Sequence, residues 1–193
     1  MLITLDGLSG TGKSSVASML ADKLNCTSIS SGDYFRSIAH FLTVNNIDLD
    51  NIDYEVLKNL KIKRVGKTVY LNDEDITSYL KTPENNVLSA KIANIKEIQN
   101  IVDSIEKNMI TDRTIIDGRD VNVRFPNADF SFYLTASEDK RLERMHSTKE
   151  EIASRDMWDL KGNIRKGNKL IEIDTDSKSV EEITNEIINI IGE

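Results

Sequence analysis

The run Gly7-Leu8-Ser9-Gly10-Thr11-Gly12-Lys13-Ser14 sets the narrowest limit on how this chain folds. Its spacing, G-x-x-x-x-G-K-S, works only with a strand ahead and a helix behind. Successive backbone N–H groups and a helix N-terminus then converge on one point and cradle a phosphate. A lysine at a helix start opposes the macrodipole unless an anion sits there. Both flanks fit. Leu2-Ile3-Thr4-Leu5 is short, apolar and partly β-branched, and it stops at Asp6-Gly7, as a buried parallel strand does. After the glycines, Val16, Met19, Leu20 and Leu24 recur at helical spacing. Residues Gly7 to Ser14, with Ser15 following, are therefore expected to bind a nucleotide's phosphates. Lys13 would neutralise the β- and γ-phosphates and Ser14 would place a hydroxyl on Mg²⁺, so the expected cofactor pair is ATP with Mg²⁺.

The pattern continues as alternating strands and helices. Thr27 to Ser30 reads as a strand, and Phe35, Ile38, Ala39 and Leu42 mark a helix beginning after Gly32. Lys61 to Leu71 reads as two short strands turning near Gly66, a hairpin-bearing insert. Helical periodicity returns over Val87 to Met109. Strands follow at Thr114-Ile115-Ile116 and at Phe130 to Leu134, then a helix over about 137–146, a strand from Lys169 to Ile173 and a last helix. Ser179 with Glu182 is a capping box for that helix. This order predicts an α/β fold: a five-stranded parallel sheet flanked by helices. The chain of 193 residues, 39% hydrophobic, suits one domain over 1–193, with its core in 1–44 and 110–193.

Ligands of such sheets gather at the carboxyl ends of the strands. Ser31 and Arg36 follow the second strand, while Asp117-Gly118-Arg119-Asp120 ends the next, so a second anionic ligand is expected between Arg36 and Arg119. Asp117 is the candidate for orienting the metal's water shell, with a structural turn as the alternative. Composition narrows the partners. The formal charge of −7, from 25 Lys and Arg against 32 Asp and Glu, excludes a broad electrostatic footprint for polymeric nucleic acid. No apolar run approaches the roughly 20 residues that cross a bilayer, and the opening residues carry no basic leader. With a single cysteine, Cys26, a cytoplasmic setting is expected. His40 and His146 lack ligand-spaced partners and read as structural or solvated.

Along almost its whole length the chain resembles the bacterial cytidylate kinase family, which are P-loop nucleoside-monophosphate kinases. The likeness is carried by Gly7 to Ser14, Ser31 to Arg36, Leu71 to Ile76, Asp117 to Asp120, Phe125 to Ala128, Tyr133 to Ser137 and Arg155-Asp156. The resemblance implies that residues 52–85 form the insert binding the acceptor nucleotide and 147–167 a short lid. It implies that Arg36 and Arg119 hold the acceptor phosphate and that Asp120 faces the acceptor base. Arg155 and Asp159 would belong to the lid, and Arg141 would reach the donor phosphates. Lys13, Arg119 and Arg155 are then the expected catalytic residues. Ser31 and Gln99 complete the acceptor set. Where the family reads cytosine with a serine and an arginine, this chain has Ala90 and Gln99, with Ser89 adjacent. Where the family lid carries arginines, it has Trp158, Leu160 and Gly162, leaving Arg155 and Arg165.

The implied activity is ATP-dependent phosphorylation of a pyrimidine nucleoside monophosphate, CMP or dCMP, by a monomer whose partners are small nucleotides. Such transfer needs alignment and charge stabilisation by Lys, Arg and Mg²⁺ rather than a Ser–His or Cys–His pair. Two other readings stand beside it: a P-loop kinase for another small acceptor, suggested by Ala90 and Gln99, and a non-catalytic nucleotide-binding regulator, suggested by the arginine-poor lid.

Overall fold

A computed structural model of the chain describes residues 1–145, 148–150, 152, 153 and 170–193. The chain divides into two compact units, one made of Met1–Ser30 with Asn108–Glu193 and the other of Ser31–Lys107.

The first unit holds the expected five-stranded sheet, with strands β1 (Leu2–Asp6), β2 (Thr27–Ser30), β6 (Thr114–Asp117), β7 (Phe130–Thr135) and β8 (Leu170–Asp174) in the order β2-β6-β1-β7-β8. Every pairing is parallel. Among the described residues its fully delimited helices are α1 (Lys13–Leu24), α6 (Val121–Arg124), α7 (Glu138–Met145) and α8 (Val180–Ile191). Alternation along β1 decides what each face does. Ile3 and Leu5 join Ile115, Phe132, Leu134 and Ile173 in one apolar cluster with Val16 and Leu20 of α1 and Ile183 and Ile187 of α8. Thr4 and Asp6 occupy the opposite face, where Thr4 Oγ1 donates to Ser131 Oγ at 2.9 Å. The left-handed Asn25 (φ 50°) ends α1 and lets β2 begin two residues later.

The second unit contains α2 (Ser31–Val44), α3 (Tyr54–Lys58), α4 (Pro83–Ile92), α5 (Lys96–Met109) and an antiparallel sheet of β3 (Ile62–Val65), β4 (Thr68–Leu71) and β5 (Glu74–Asp75). The hairpin turns at Gly66 as expected, with φ 59°. Three features differ from the sequence reading. Helix α2 starts at Ser31, directly after β2, instead of beyond Gly32. A two-residue strand, too short to leave a periodicity, adds to the hairpin. The helical stretch from Val87 to Met109 is two helices. Asn94 Nδ2 donates to Ala90 O at 2.9 Å, occupying a carbonyl the helix ladder would use, and the turn closes with Ile95 N on Ile92 O. Thr82 caps α4 by accepting from Asn85 N, and Pro83 stands in the first turn, where its missing N–H costs nothing.

At the other end of the chain, Ser179 Oγ accepts from Glu182 N at 3.2 Å while Glu182 Oε2 accepts from Ser179 N at 2.8 Å, so the capping box is formed. Replacing Ser179 with alanine is expected to lower the unfolding free energy by about 1 kcal/mol. Urea denaturation would register this as a lower midpoint at unchanged slope.

Candidate active site

The phosphate loop leaves the carboxyl end of β1 and enters α1. Gly7 (φ 145°), Gly10 (φ 80°) and Gly12 (φ 92°) all need positive φ. Crowding adds to the demand at Gly7, where a Cβ would lie 2.3 Å from Leu134 O. At Gly12 a Cβ would meet nothing within 4 Å, so space is open beside the start of α1. That helix has no side-chain cap and no acidic residue in its first turn, which leaves its amino end electropositive. Lys13 Nζ reaches back to Leu8 O at 2.7 Å, and Thr11 Oγ1 donates to the same carbonyl at 2.9 Å.

Ser14 Oγ donates to Asp117 Oδ2 at 2.7 Å. Register explains the pairing. Asp117 lies opposite Leu5 on the face that carries α1, whereas Asp6 lies opposite Tyr133 on the other face. The two sequence candidates for a metal, Ser14 and Asp117, are thus brought together. Among the described residues no cluster of three or more His, Cys, Asp or Glu forms a metal-binding set.

Arg119 bonds Ser9 Oγ through Nη2, so the Asp117–Asp120 segment is tied to the phosphate loop. Asp120 stands at the start of α6 with φ 55° and does not cap it. Asp6 does: Oδ1 accepts from Val121 N at 2.7 Å and Oδ2 from Asn122 N at 3.0 Å. The sequence reading passed over Asp6. Its only signal was a charged residue closing an apolar strand. Arg141 is buried, and its Nε donates to Ser9 O at 2.7 Å. Arg144 and Thr175, also unflagged by sequence, meet the loop from the same side. Arg144 Nη1 donates to Thr175 Oγ1 at 2.9 Å, and Thr175 Oγ1 donates to Thr135 O at 2.8 Å.

In the second unit, Ser31 and Asp33 are buried at the start of α2. Asp33 Oδ2 accepts from Arg64 Nε at 2.8 Å and Nη2 at 2.7 Å, and its Oδ1 lies 4.0 Å from Arg36 Nη1. Arg36 Nε donates to Asn86 Oδ1 at 3.1 Å, and its guanidinium lies over Gly32, where a Cβ would come within 2.5 Å of Nη1. Arg64 was not anticipated, because an arginine on a hairpin strand usually faces solvent. Gln99 Nε2 donates to Ala93 O at 2.7 Å, Ser89 Oγ donates to Asn86 O at 3.0 Å, and Ala90 is buried. Burial and the Glu106 and Asp33 carboxylates push the Tyr34 phenol above its ordinary range. His40 stacks on Tyr79 at 4.8 Å, in keeping with a structural role. Arg155, Asp159, Trp158, Leu160, Gly162, Arg165 and His146 lie outside the described residues, as does most of the expected lid.

Burial raises the Asp6 carboxyl from 3.8 to about 7, against the pull of the two N–H bonds and Lys13 and with a small push from Asp120. A protonated carboxyl keeps one carbonyl oxygen as a full acceptor and a hydroxyl oxygen as a weaker one, so protonation retains the cap in part. Because the folded value is the higher one, Asp6's contribution to stability is fully present below pH 4 and is lost as pH rises through 7. Lowering pH from 8 to 5 is therefore expected to shift the stability difference between the parent protein and Asp6→Asn in the parent's favour, by a few kcal/mol at most. Urea unfolding of both proteins across that range checks this, and parallel pH slopes would count against it.

The comparisons with known proteins agree with this architecture. Over 98% of this chain and 90% of the other, the fold matches a gluconokinase from Sinorhizobium meliloti, with a TM-score of 0.50 at 15% identity. It also matches TT1252 from Thermus thermophilus, with a TM-score of 0.51 at 13% identity, over all of this chain and 96% of that one. A protein of Thermotoga maritima named cytidylate kinase is 34% identical over 99% of this chain and 96% of its own length. One of Fusobacterium nucleatum with the same name is 30% identical over 96% and 94%. Since the cytidylate kinase family profile also spans residues 3–193, the chain belongs to the cytidylate kinase family.

Proposed function

We propose that this protein transfers the γ-phosphoryl group of ATP to a pyrimidine nucleoside monophosphate, CMP or dCMP, yielding CDP or dCDP and ADP. The observation that carries the reading is the phosphate loop, an uncapped helix N-terminus with Lys13 beside it and open space at Gly12. The residues present fit ATP and Mg²⁺. A hydroxyl and a carboxylate, Ser14 and Asp117, stand 2.7 Å apart at the loop's end, an oxygen set suited to a hard cation. Ser14 would bind Mg²⁺ directly and Asp117 through water, and the ion would offset charge on the phosphates.

Within that arrangement the loop N–H groups hold the donor phosphates and Lys13 neutralises charge on the β- and γ-oxygens. An acceptor phosphate oxygen attacks the γ-phosphorus in line as the bond to the β-phosphate breaks. The charge that spreads over the moving group is stabilised by fixed cations. Arg119 and Arg36 are assigned the acceptor phosphate on the motifs that carry them, Ser31 and Asp120 the rest of the acceptor, and Arg155 and Asp159 the lid. Arg141 is assigned to the donor side. No helix among the described residues is long and apolar enough to cross a membrane. A cytoplasmic monomer acting on small nucleotides is the proposed setting.

One observation favours a different acceptor. The Ser89 hydroxyl proton and one Gln99 amide N–H already go to main-chain carbonyls and Ala90 offers no polar group, so fewer donors are left for a base than a serine with an arginine would supply. A coupled ADP-release assay with MgATP and CMP, dCMP, UMP, dTMP, AMP and GMP decides between the two. Turnover is expected with CMP and dCMP alone, and strong turnover confined to another acceptor would transfer the assignment to it. In the same assay Lys13→Ala is expected to lower kcat by roughly 10²–10³-fold, and an unchanged kcat would remove the loop from the mechanism.

A further inference from the structure

Three consecutive carbonyls of the phosphate loop are each held from the side opposite an incoming nucleotide. Ser9 O accepts from Arg141 Nε at 2.7 Å. Gly10 O accepts from Arg144 Nη1 at 3.4 Å. Thr11 O accepts from Thr175 Oγ1 at 3.2 Å. Among the described residues no peptide is cis, and in a planar trans peptide the C=O and N–H point in opposite directions. Holding those carbonyls therefore turns the N–H groups of Gly10, Thr11 and Gly12 the other way. Among the described residues, no hydrogen bond engages these three N–H groups.

We infer that Arg144 and Thr175, together with Arg141, are positioning residues that clamp the carbonyl side of the loop and so preform its N–H side for the donor's phosphates. Thr175 is the centre of the clamp. It is fully buried just after β8, its N–H donates to Thr135 O at the end of β7, and its single hydroxyl proton is shared between Thr135 O at 2.8 Å and Thr11 O at 3.2 Å. Arg144 closes it by donating to Thr175 Oγ1 and, through Nη2, to Thr175 O. Arg144 is thus one guanidinium bonded to the loop at Gly10 and to the residue that bears on Thr11. Packing holds α7 in place for this, since a Cβ at Gly10 would come within 3.0 Å of Arg141 Cβ and of Met145 Sδ. A loop that must find this shape only after the nucleotide arrives loses affinity by the cost of ordering it.

The inference rests on the phosphate-binding reading above, and its test reads affinity separately from turnover. MgADP binding is measured by calorimetry for the parent, Thr175→Val, Thr175→Ser and Arg144→Gln, with the KM for CMP taken from the coupled assay. Thr175→Val keeps the side chain's shape and removes the hydroxyl. It is expected to weaken MgADP by about tenfold, the equivalent of one lost hydrogen bond. Thr175→Ser should recover to within about threefold of the parent, Arg144→Gln should weaken MgADP by about fivefold, and the KM for CMP should stay within about twofold. Parental MgADP affinity in Thr175→Val or Arg144→Gln overturns the clamp. So does a Thr175→Ser protein as weak as the valine variant, or an equal rise in the KM for CMP. If Thr175→Val does not fold, Arg144→Gln, an exposed side chain, decides alone. A parent that binds MgADP but phosphorylates no acceptor defeats the kinase reading and leaves the clamp to be judged on affinity. A parent that does not bind MgADP defeats both.

Discussion

Strand β1 must be buried on every side, and the functional edge of the first unit follows from that. It pairs with β6 on one flank and β7 on the other, and Ile3, Thr4, Leu5 and Asp6 have no exposed surface. The apolar residues are covered by α1 and α8. A carboxylate at the end of so buried a strand must find donors in the protein, and Asp6 finds them in the first N–H groups of α6. The chain must also turn away between two neighbouring strands. Leu134 O stands where a side chain at residue 7 would go, so only glycine can begin the phosphate loop.

Positive charge is concentrated around that loop in a chain whose net charge is −7. Its cations are anchored to protein acceptors: Lys13 to Leu8 O, Arg119 to Ser9, Arg141 to Ser9 O and Arg144 to Thr175. Long cationic side chains lose rotamer freedom when they bind a ligand. Anchoring them beforehand removes part of that cost and fixes the electrostatics before the substrate arrives. In the second unit one buried carboxylate, Asp33, accepts two N–H bonds from Arg64 on a single oxygen while its other oxygen lies 4.0 Å from Arg36.

Legibility followed the range of the interactions involved. The alternation of strands and helices, the hairpin turn at Gly66, the phosphate loop and the Ser179–Glu182 box were readable, because each depends on residues a few positions apart. The break at Ala93–Ile95 was not. It hinges on the side chain of Asn94 taking a carbonyl from the helix ladder, a choice that periodicity does not record. Asp6, Arg144 and Thr175 escaped notice for a related reason. Each is an ordinary residue type in an ordinary place, and each acts on a segment more than 100 positions away.

What the sequence determined by itself was therefore the order of elements, the phosphate-loop motif and the family to which the chain belongs. Those follow from spacing, since a glycine-rich turn between a strand and a helix exposes N–H groups whatever surrounds it. Tertiary structure alone decided which way those groups face and what holds them there. The pairing of Ser14 with Asp117, the capping of α6 by Asp6 and the seating of Thr11 on Thr175 all need strands far apart in sequence to be adjacent and in register. That adjacency comes from burying the sheet, and no local pattern encodes it.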